Sequence, residues 1–407
     1  MLPAANPKPS AARKLLLFLL SLCLGLFLAD AAVSLLDDTT ALGFKVHALL
    51  LIRLIVGLPA VLLAVLVYVL MAFIPAIPKS LFVPLALSYV ALQLAALPLT
   101  LLYSDKLPLI AWASSAAQLV VGLWLLHRAR RGWKFGWPLL SPERLGDRRF
   151  SWSNLIGFAL ANVLLLLPAI CLYLFLCTAG LVSHFTEGFM TLHPDGFRVQ
   201  ARQYVRADGK TIQLFPMSHV AEGDFYREIS QTFPTNSLIL MEGVTDENQL
   251  LKHKISYKKM AGALGLTEQH EQFEPTRGEI VPADIDVSQF TTNTLDLLNL
   301  VILIHNGGLN AATLPKMMQF SSAPGLQEHL VDDLLRKRNK NLLEQIQKHL
   351  AETGHIVVPW GVAHMPEVAR EIQKSGFRLA NTDEYVVIRF LGKKTPEPAR
   401  LKPDPKR

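Results

Sequence analysis

His219, Glu242 and His364 each stand at or just beyond the end of a short apolar run: IQLFPMS leads to His219, SLILM to Glu242 and IVVPWGVA to His364. Runs of that length read as short buried strands. In an open α/β sheet, groups just past the strand C-termini converge on one edge, where ligands bind. Imidazole and carboxylate exchange protons readily, so two histidines and a glutamate on one edge could do acid–base or ligand chemistry. An internal echo strengthens the placement. IQLFPMSH is followed by Tyr226-Arg227-Glu228-Ile229 and IVVPWGVAH by Ala369-Arg370-Glu371-Ile372, so each strand, turn and histidine leads into a helix bearing Arg-Glu-Ile. The pattern alone has low specificity. A histidine after a strand is usually a satisfied polar group, and Glu242 alone could cap the following turn.

The elements that would position these groups lie within residues 182–392. Phe185 to Met190, Phe197 to Val205, Thr211 to Phe215, Ser237 to Met241, Ile356 to Trp360 and Tyr385 to Phe390 read as strands, with the turn Ala207-Asp208-Gly209 joining the second and third. Helical spacing appears over Asp224 to Gln231, Lys254 to Leu264, Leu295 to His305 and Leu326 to Leu350. The apolar run LDLLNLVILIH stops at Asn306-Gly307-Gly308 and is too short to cross a bilayer, so it reads as a core helix. Strands interspersed with helices predict one α/β domain.

Several segments here resemble the TraB/PrgY/GumN/Tiki superfamily: FPMSHVAEGDFYREI, SLILMEGV, YKKMAGALGLTEQ, LLRKRNKNLLEQI and GHIVVPWGVAHMPEVAREIQKSGF, in that order. The similarity covers most of residues 197–392 and none of the chain before them. It implies a mixed-sheet α/β fold of the ChaN/EreA/Tiki-like kind. Its implied site is His219, Glu242 and His364, with Arg338 of LLRKRN as a nearby cation. Two neutral imidazoles and a carboxylate can hold a divalent ion with a position open for water, whose pKa the ion lowers towards ~7. Manganese, zinc and cobalt all suit that set. Glu242 could instead be the general base, and Arg338 could balance an oxyanion or bind a substrate carboxylate. The family's metal-dependent proteases imply a peptide substrate, whereas its pheromone-restraining members imply a binder that leaves the peptide intact. A haem-binding variant is the third implied option. The motif Gly361-Val362-Ala363-His364 is complete, but its earlier counterpart reads Pro216-Met217-Ser218-His219. Proline cannot adopt the positive φ open to glycine, so the first turn departs from the pattern.

Other polar residues have plainer readings. Asp286 is an expected N-cap, Asp284 a reserve ligand or supporting acid, and His305 a helix C-terminal cap. His184, His193, His253, His270, His329, His349 and His355 show no ligand spacing, while Arg336, Lys337 and Lys340 read as the solvated face of the long helix.

The first 181 residues have a different composition. The chain has 407 residues, is 51% apolar and carries a net charge of +7. Five apolar stretches, Leu15 to Leu36, Leu54 to Ile74, Leu81 to Tyr103, Leu107 to Leu126 and Leu155 to Leu176, approach the ~20 residues needed to span a bilayer. Lys and Arg collect before the first stretch, for a net +3 over residues 1–14, and in the loop 127–149, for a net +5, whereas 150–392 is net −5. Basic loops stay cytoplasmic. Four spans between the two basic segments and a fifth after them predict a cytoplasmic N-terminus and an exoplasmic C-terminal domain, periplasmic in a bacterium. A cleaved signal peptide ending near Ala29-Asp30-Ala31 is the competing reading of the first stretch. The acidic polar domain argues against a nucleic-acid platform. Arg53 is expected to snorkel, and Gln93 and Gln118 to bond between helices, with no buried acids or paired charges to suggest transport. Cys23, Cys171 and Cys177 all fall in the spans, so no disulfide is expected in the α/β domain. The tail 393–407 is Pro- and Lys-rich and reads as disordered. Oligomeric state is not legible.

Overall fold

The computed structural model describes residues 10–133, 136–147, 150–252, 257–308, 310, 313–321 and 325–390, in two units, Met1–Cys177 and Thr178–Arg407. Lys134, Arg148, Arg149, His253, Lys254 and the tail lie outside the described residues.

The first unit is a set of long apolar helices: α1 (Ala11–Phe44), α2 (Leu50–Phe73), α3 (Lys79–Leu102) and α4 (Leu107–Arg130). A further helix begins here as α5 (Trp152–Ala161), passes through a π turn at Asn162–Leu166 and continues as α6 (Leu167–Phe185). These five long helices match the five stretches anticipated, each extending beyond its apolar centre. Leu24 and Phe27 of α1, Val67 and Met71 of α2, Phe82 of α3 and Leu125 of α4 pack together. The outward Leu and Val side chains stay exposed, with Leu51 at 71% and Leu165 at 70%, as apolar helices facing lipid require. Arg13 pairs with Asp147 at 3.0 Å and donates to the Leu145 carbonyl, so the start of α1 and the loop after α4 share one end. All three cysteines are free thiols.

The charges inside this unit differ from expectation. Asp30, Asp37 and Asp38 of α1 are buried. Arg53 does not snorkel. It bonds Asp38 at 2.8 Å and lies 3.5 Å from Asp37, because these two buried acids offer it a counter-charge inside the helical unit. Gln118 forms the anticipated interhelical bond, to Asp30, while Gln93 is exposed.

The second unit contains a seven-stranded mixed sheet. Its strands are β1 (Met190–His193), β2 (Gly196–Val205), β3 (Thr211–Met217), β5 (Leu238–Met241), β7 (Glu279–Pro282), β8 (His355–Gly361) and β9 (Arg378–Arg389). Their order is β1-β2-β3-β8-β5-β7, with β9 also on β2. The hairpins and β9 pair antiparallel; β3, β8, β5 and β7 run parallel. A small pair, β4 (Val220–Ala221) with β6 (Thr267–Glu268), stands apart. The helices are α7 (Gly223–Thr232), α8 (Lys258–Leu264), α9 (Gln269–Gln272), α10 (Thr292–Gly307), α11 (Leu314–Ser321), α12 (Leu326–Val331), α13 (Lys337–His349) and α14 (Met365–Lys374).

Alternation sends Ile212, Leu214, Val358 and Trp360 to a core with Leu342 and Ile346 of α13 and Val368 and Ile372 of α14. Phe215, Val357 and Ile239 meet Phe225 and Ile229 of α7 on the other face. With both faces covered, the central strands must read as continuous apolar runs, and that is why they were legible.

Three element readings change. Phe185 to Met190 is not a strand: Gly188 N–H closes onto Ser183 O and Glu187 and Gly188 take positive φ, so α6 runs to a left-handed cap and the chain extends only from Met190. β9 begins seven residues before Tyr385, because it pairs with β2 over that strand's whole length. The expected helix 326–350 carries a π turn, Asp332–Arg336, between α12 and α13.

Candidate functional site

Four parallel strands end at one edge and each delivers a polar group. β5 ends at Met241 and places Glu242; β7 runs through Ala283 to Asp284; β8 ends at Gly361 before a 3-10 turn to His364; β3 ends at Met217 before His219. This is the edge inferred from the sequence.

Glu242, Asp284, His364 and Arg338 come together there. Arg338 donates from Nε to Asp284 Oδ1 at 2.9 Å and from Nη2 to Asp284 Oδ2 at 2.6 Å, while Nη2 also reaches Glu242 Oε1 at 2.7 Å. Its guanidinium lies over the Trp360 ring, 5.4 Å from the centroid. Burial opposes the arginine's charge, but Asp284 and Glu242 outweigh it and raise its pKa. Glu242 Oε2 accepts the Gly361 N–H. Gly361 has an ordinary negative φ of −52°, so its value lies in close approach: a Cβ there would come within 3.3 Å of Glu242 Oε2. Asp284 is braced by the Gly243 N–H at 3.0 Å and the Ile285 N–H at 2.9 Å.

His364 is only 3% exposed and packs edge-on against Trp360. Burial pushes its pKa down to about 4, against a lesser upward pull from Glu242, so the ring is neutral at pH 7. Nδ1 lies 2.6 Å from Asn339 Oδ1, and Asn339 Nδ2 donates to Glu367 Oε2 at 2.6 Å. The amide orientation assigns the ring proton to Nδ1. Nε2 then presents a lone pair towards Glu242 Oε1, 3.7 Å away. Two acceptors held that far apart leave room for a cation, or for a water that donates to both. With two carboxylates, one guanidinium and a neutral imidazole, the cluster is net −1, which suits a cation.

His219 does not join them. The chain past Met217 turns into β4, which pairs with β6, and the His219 carbonyl accepts the Gln269 N–H at 2.9 Å. The imidazole is exposed and stacks on Tyr257, ring centroids 5.6 Å apart. Tyr257 in turn meets His305 of the last α10 turn edge-on. Among the described residues, the single group of three His, Cys, Asp or Glu with ligand atoms within 4.8 Å of one another is Asp37, Asp38 and His47. The three-ligand set His219, Glu242, His364 is therefore not assembled. Pro216 lies inside β3, beyond Leu214, the last β3 residue paired with β2, and sits opposite Trp360; Met217 is the residue opposite Gly361.

Asp286 is the N-cap anticipated, accepting from Ser288 N–H at 2.9 Å, and its bonds to Ser288, Glu247 and Thr245 hold its pKa low. Asp284 holds Arg338. Lys337 is not simply solvated, since it bonds buried Asp333 at 2.6 Å. Asn339 and the Gly361 N–H were not foreseen; the one available signal was the Arg338-Asn339 pair, whose polar side chains both turn inward because the π turn rotates the helix just before them. A cavity of about 440 Å³ lies at the opposite, N-terminal end of β3, between α13 and α14, and is lined by none of these groups.

No family model, curated protein or solved structure matches the chain.

Proposed function

We propose that the α/β unit is a metal-dependent hydrolase acting on peptides at the exoplasmic face of a membrane, anchored by the five apolar helices with its N-terminus in the cytoplasm. The observation that carries this reading is the His364 lone pair facing Glu242 Oε1 across 3.7 Å, with Asn339 fixing the tautomer. His364 Nε2 and Glu242 Oε1 fit a divalent cation as two ligands; manganese, zinc and cobalt are all compatible. His219 does not belong to that pair as placed. A bound ion would supply a more acidic water. The chain's own part is to hold the ion and its water through His364 Nε2 and Glu242 Oε1 and to keep His364 neutral. Arg338, already buried between two carboxylates, would balance negative charge developing on a scissile carbonyl. The resemblance to the TraB/Tiki-type segments supports the peptide substrate.

A second reading belongs to a different class. Arg338 occupies both carboxylates and Pro216 alters the first turn, which favours a unit that captures a peptide or signal without cutting it. The two readings separate on the full chain purified in detergent. Bound metal is measured, and a mixed peptide pool is incubated with and without chelator, alongside His364→Ala and Glu242→Gln. Metal-dependent cleavage lost in both variants supports hydrolysis. Retained peptide, no cleavage and no metal would establish the binder instead.

A further inference from the structure

The helical unit contains a buried carboxylate that nothing in the hydrolase reading uses. Asp30 lies in the middle of α1 and is 7% exposed. Its Oδ2 accepts from Gln118 Nε2 of α4 at 2.8 Å and from the Tyr89 hydroxyl of α3 at 3.2 Å. Both donors are neutral. Oδ1 has no hydrogen bond among the described residues; it faces Gly57 of α2, where a Cβ would stand 2.9 Å from it. The nearby cation is not available, because Arg53 is engaged by Asp37 and Asp38.

A second observation points to the same spot. Ser34, one turn further along the same face of α1, is 4% exposed, and its hydroxyl makes no hydrogen bond among the described residues. Here an unbonded carboxylate oxygen and an unbonded hydroxyl share one helix face beside a residue with no side chain.

An ionised carboxylate in apolar surroundings is costly unless a positive charge accompanies it. We propose that Asp30 and Ser34 form a binding site for one small monovalent cation, a proton or Na+, within the helical unit. Asp37 and Asp38 lie roughly 10 Å further along α1, at 1.5 Å rise per residue. Asp37 bonds His47 Nδ1 at 2.9 Å, and the His47 side chain is 53% exposed. Asp38 accepts from Arg53 and from Ser115 of α4. These outer acids share Arg53 as a partner, whereas the partners of Asp30 among the described residues are the neutral Gln118 and Tyr89. The five helices then do more than anchor: they contain the kind of site that cation-coupled membrane proteins use to sense or move an ion.

The site is read by infrared difference spectroscopy on the full chain in lipid vesicles, with aspartate carboxyls isotopically labelled, for wild type against Asp30→Asn. An exposed acid of the same unit, Asp105→Asn, is the control. In Na+-free neutral buffer a protonated aspartyl C=O band is expected in wild type and Asp105→Asn, and its loss in Asp30→Asn. Persistence of the band when Na+ is added identifies the proton. Its replacement by carboxylate bands, with saturation, identifies Na+. Gly57→Ala, which crowds Oδ1, is expected to shift the band without abolishing helicity. The proposal is overturned if wild type shows only ionised aspartate that is insensitive to Na+, or if the protonated band survives in Asp30→Asn.

Discussion

At the residue scale, His364 and Arg338 carry opposite consequences for stability. The His364 pKa is depressed from its ordinary 6.5 to about 4 in the fold, so between those values the unfolded chain binds the proton and the folded chain does not. Stability from this group is fully present above pH 6.5 and is lost as pH falls towards 4, a slope worth on the order of 3 kcal/mol. Chemical denaturation at pH 7 and pH 5 should show about 2 kcal/mol of that loss in wild type, and His364→Gln should flatten it. A variant with the same slope as wild type would place the proton uptake elsewhere. Arg338 is the cation shared by two buried carboxylates, so Arg338→Ala leaves both without it and should destabilise by about 3–5 kcal/mol. Arg338→Lys should recover only part, since an ammonium cannot span Asp284 as the guanidinium does through Nε and Nη2. Denaturation midpoints in the order wild type, Lys, Ala check this. Asn339 bonds the His364 ring and Glu367, which makes it a positioning residue for the histidine. Asn339→Asp should keep the Nδ1 bond and raise the histidine's pKa, whereas Asn339→Leu should release the ring; the histidine's nitrogen chemical shifts distinguish them.

At the element scale, the strands were legible and the site's assembly was only half so. β3, β5 and β8 are buried on both faces, and their apolar runs announce themselves; β1 and β7 are four-residue segments with no clean alternation, and they were missed or displaced. Glu242 and His364 could be placed because each follows a legible strand within a few residues. His219 satisfied the same rule and still misled, because the pairing of β4 with β6, two residues per strand, decides where the turn goes and has no sequence period. The Asn339 contact depends on the π turn before α13, which hydrophobic spacing does not reveal. Gly361 offers a test of the element itself. A Cβ would press on Glu242 from 3.3 Å, tight yet relievable by a few tenths of an ångström. Gly361→Ala should therefore fold with a near-normal melting temperature and, under the proposed hydrolase reading, lower metal affinity or turnover, and Gly361→Val should cost stability as well. Equal loss of stability in the two variants would mean that backbone conformation, not the approach of Glu242, is what the glycine serves.

At the scale of the whole molecule, charge rather than hydropathy carries the argument about sidedness, and neither reveals the interior of the helices. Hydropathy found five helices because their outward residues are apolar, but it averaged away Asp30, Asp37 and Asp38, whose placement on one inner face needs the neighbouring helices to be seen. Sidedness rests on a different argument. Arg13 and Asp147 meet at 3.0 Å, so the basic segment before α1 and the loop after α4 lie at the same end of that unit. If that end faces the cytoplasm, as the positive-inside rule predicts for two basic segments, the long α5–α6 helix would carry the net −5 region to the other side. A phosphatase reporter joined after residue 390 should be active and a fluorescent reporter needing cytoplasmic folding should be dark, with the pattern reversed for fusions within 136–147. If basic residues set the direction of insertion, replacing Arg128, Arg130 and Arg131 with glutamine should weaken the preference and produce a mixed population. Unchanged single-sided labelling in that variant would shift the determinant to the residues preceding α1.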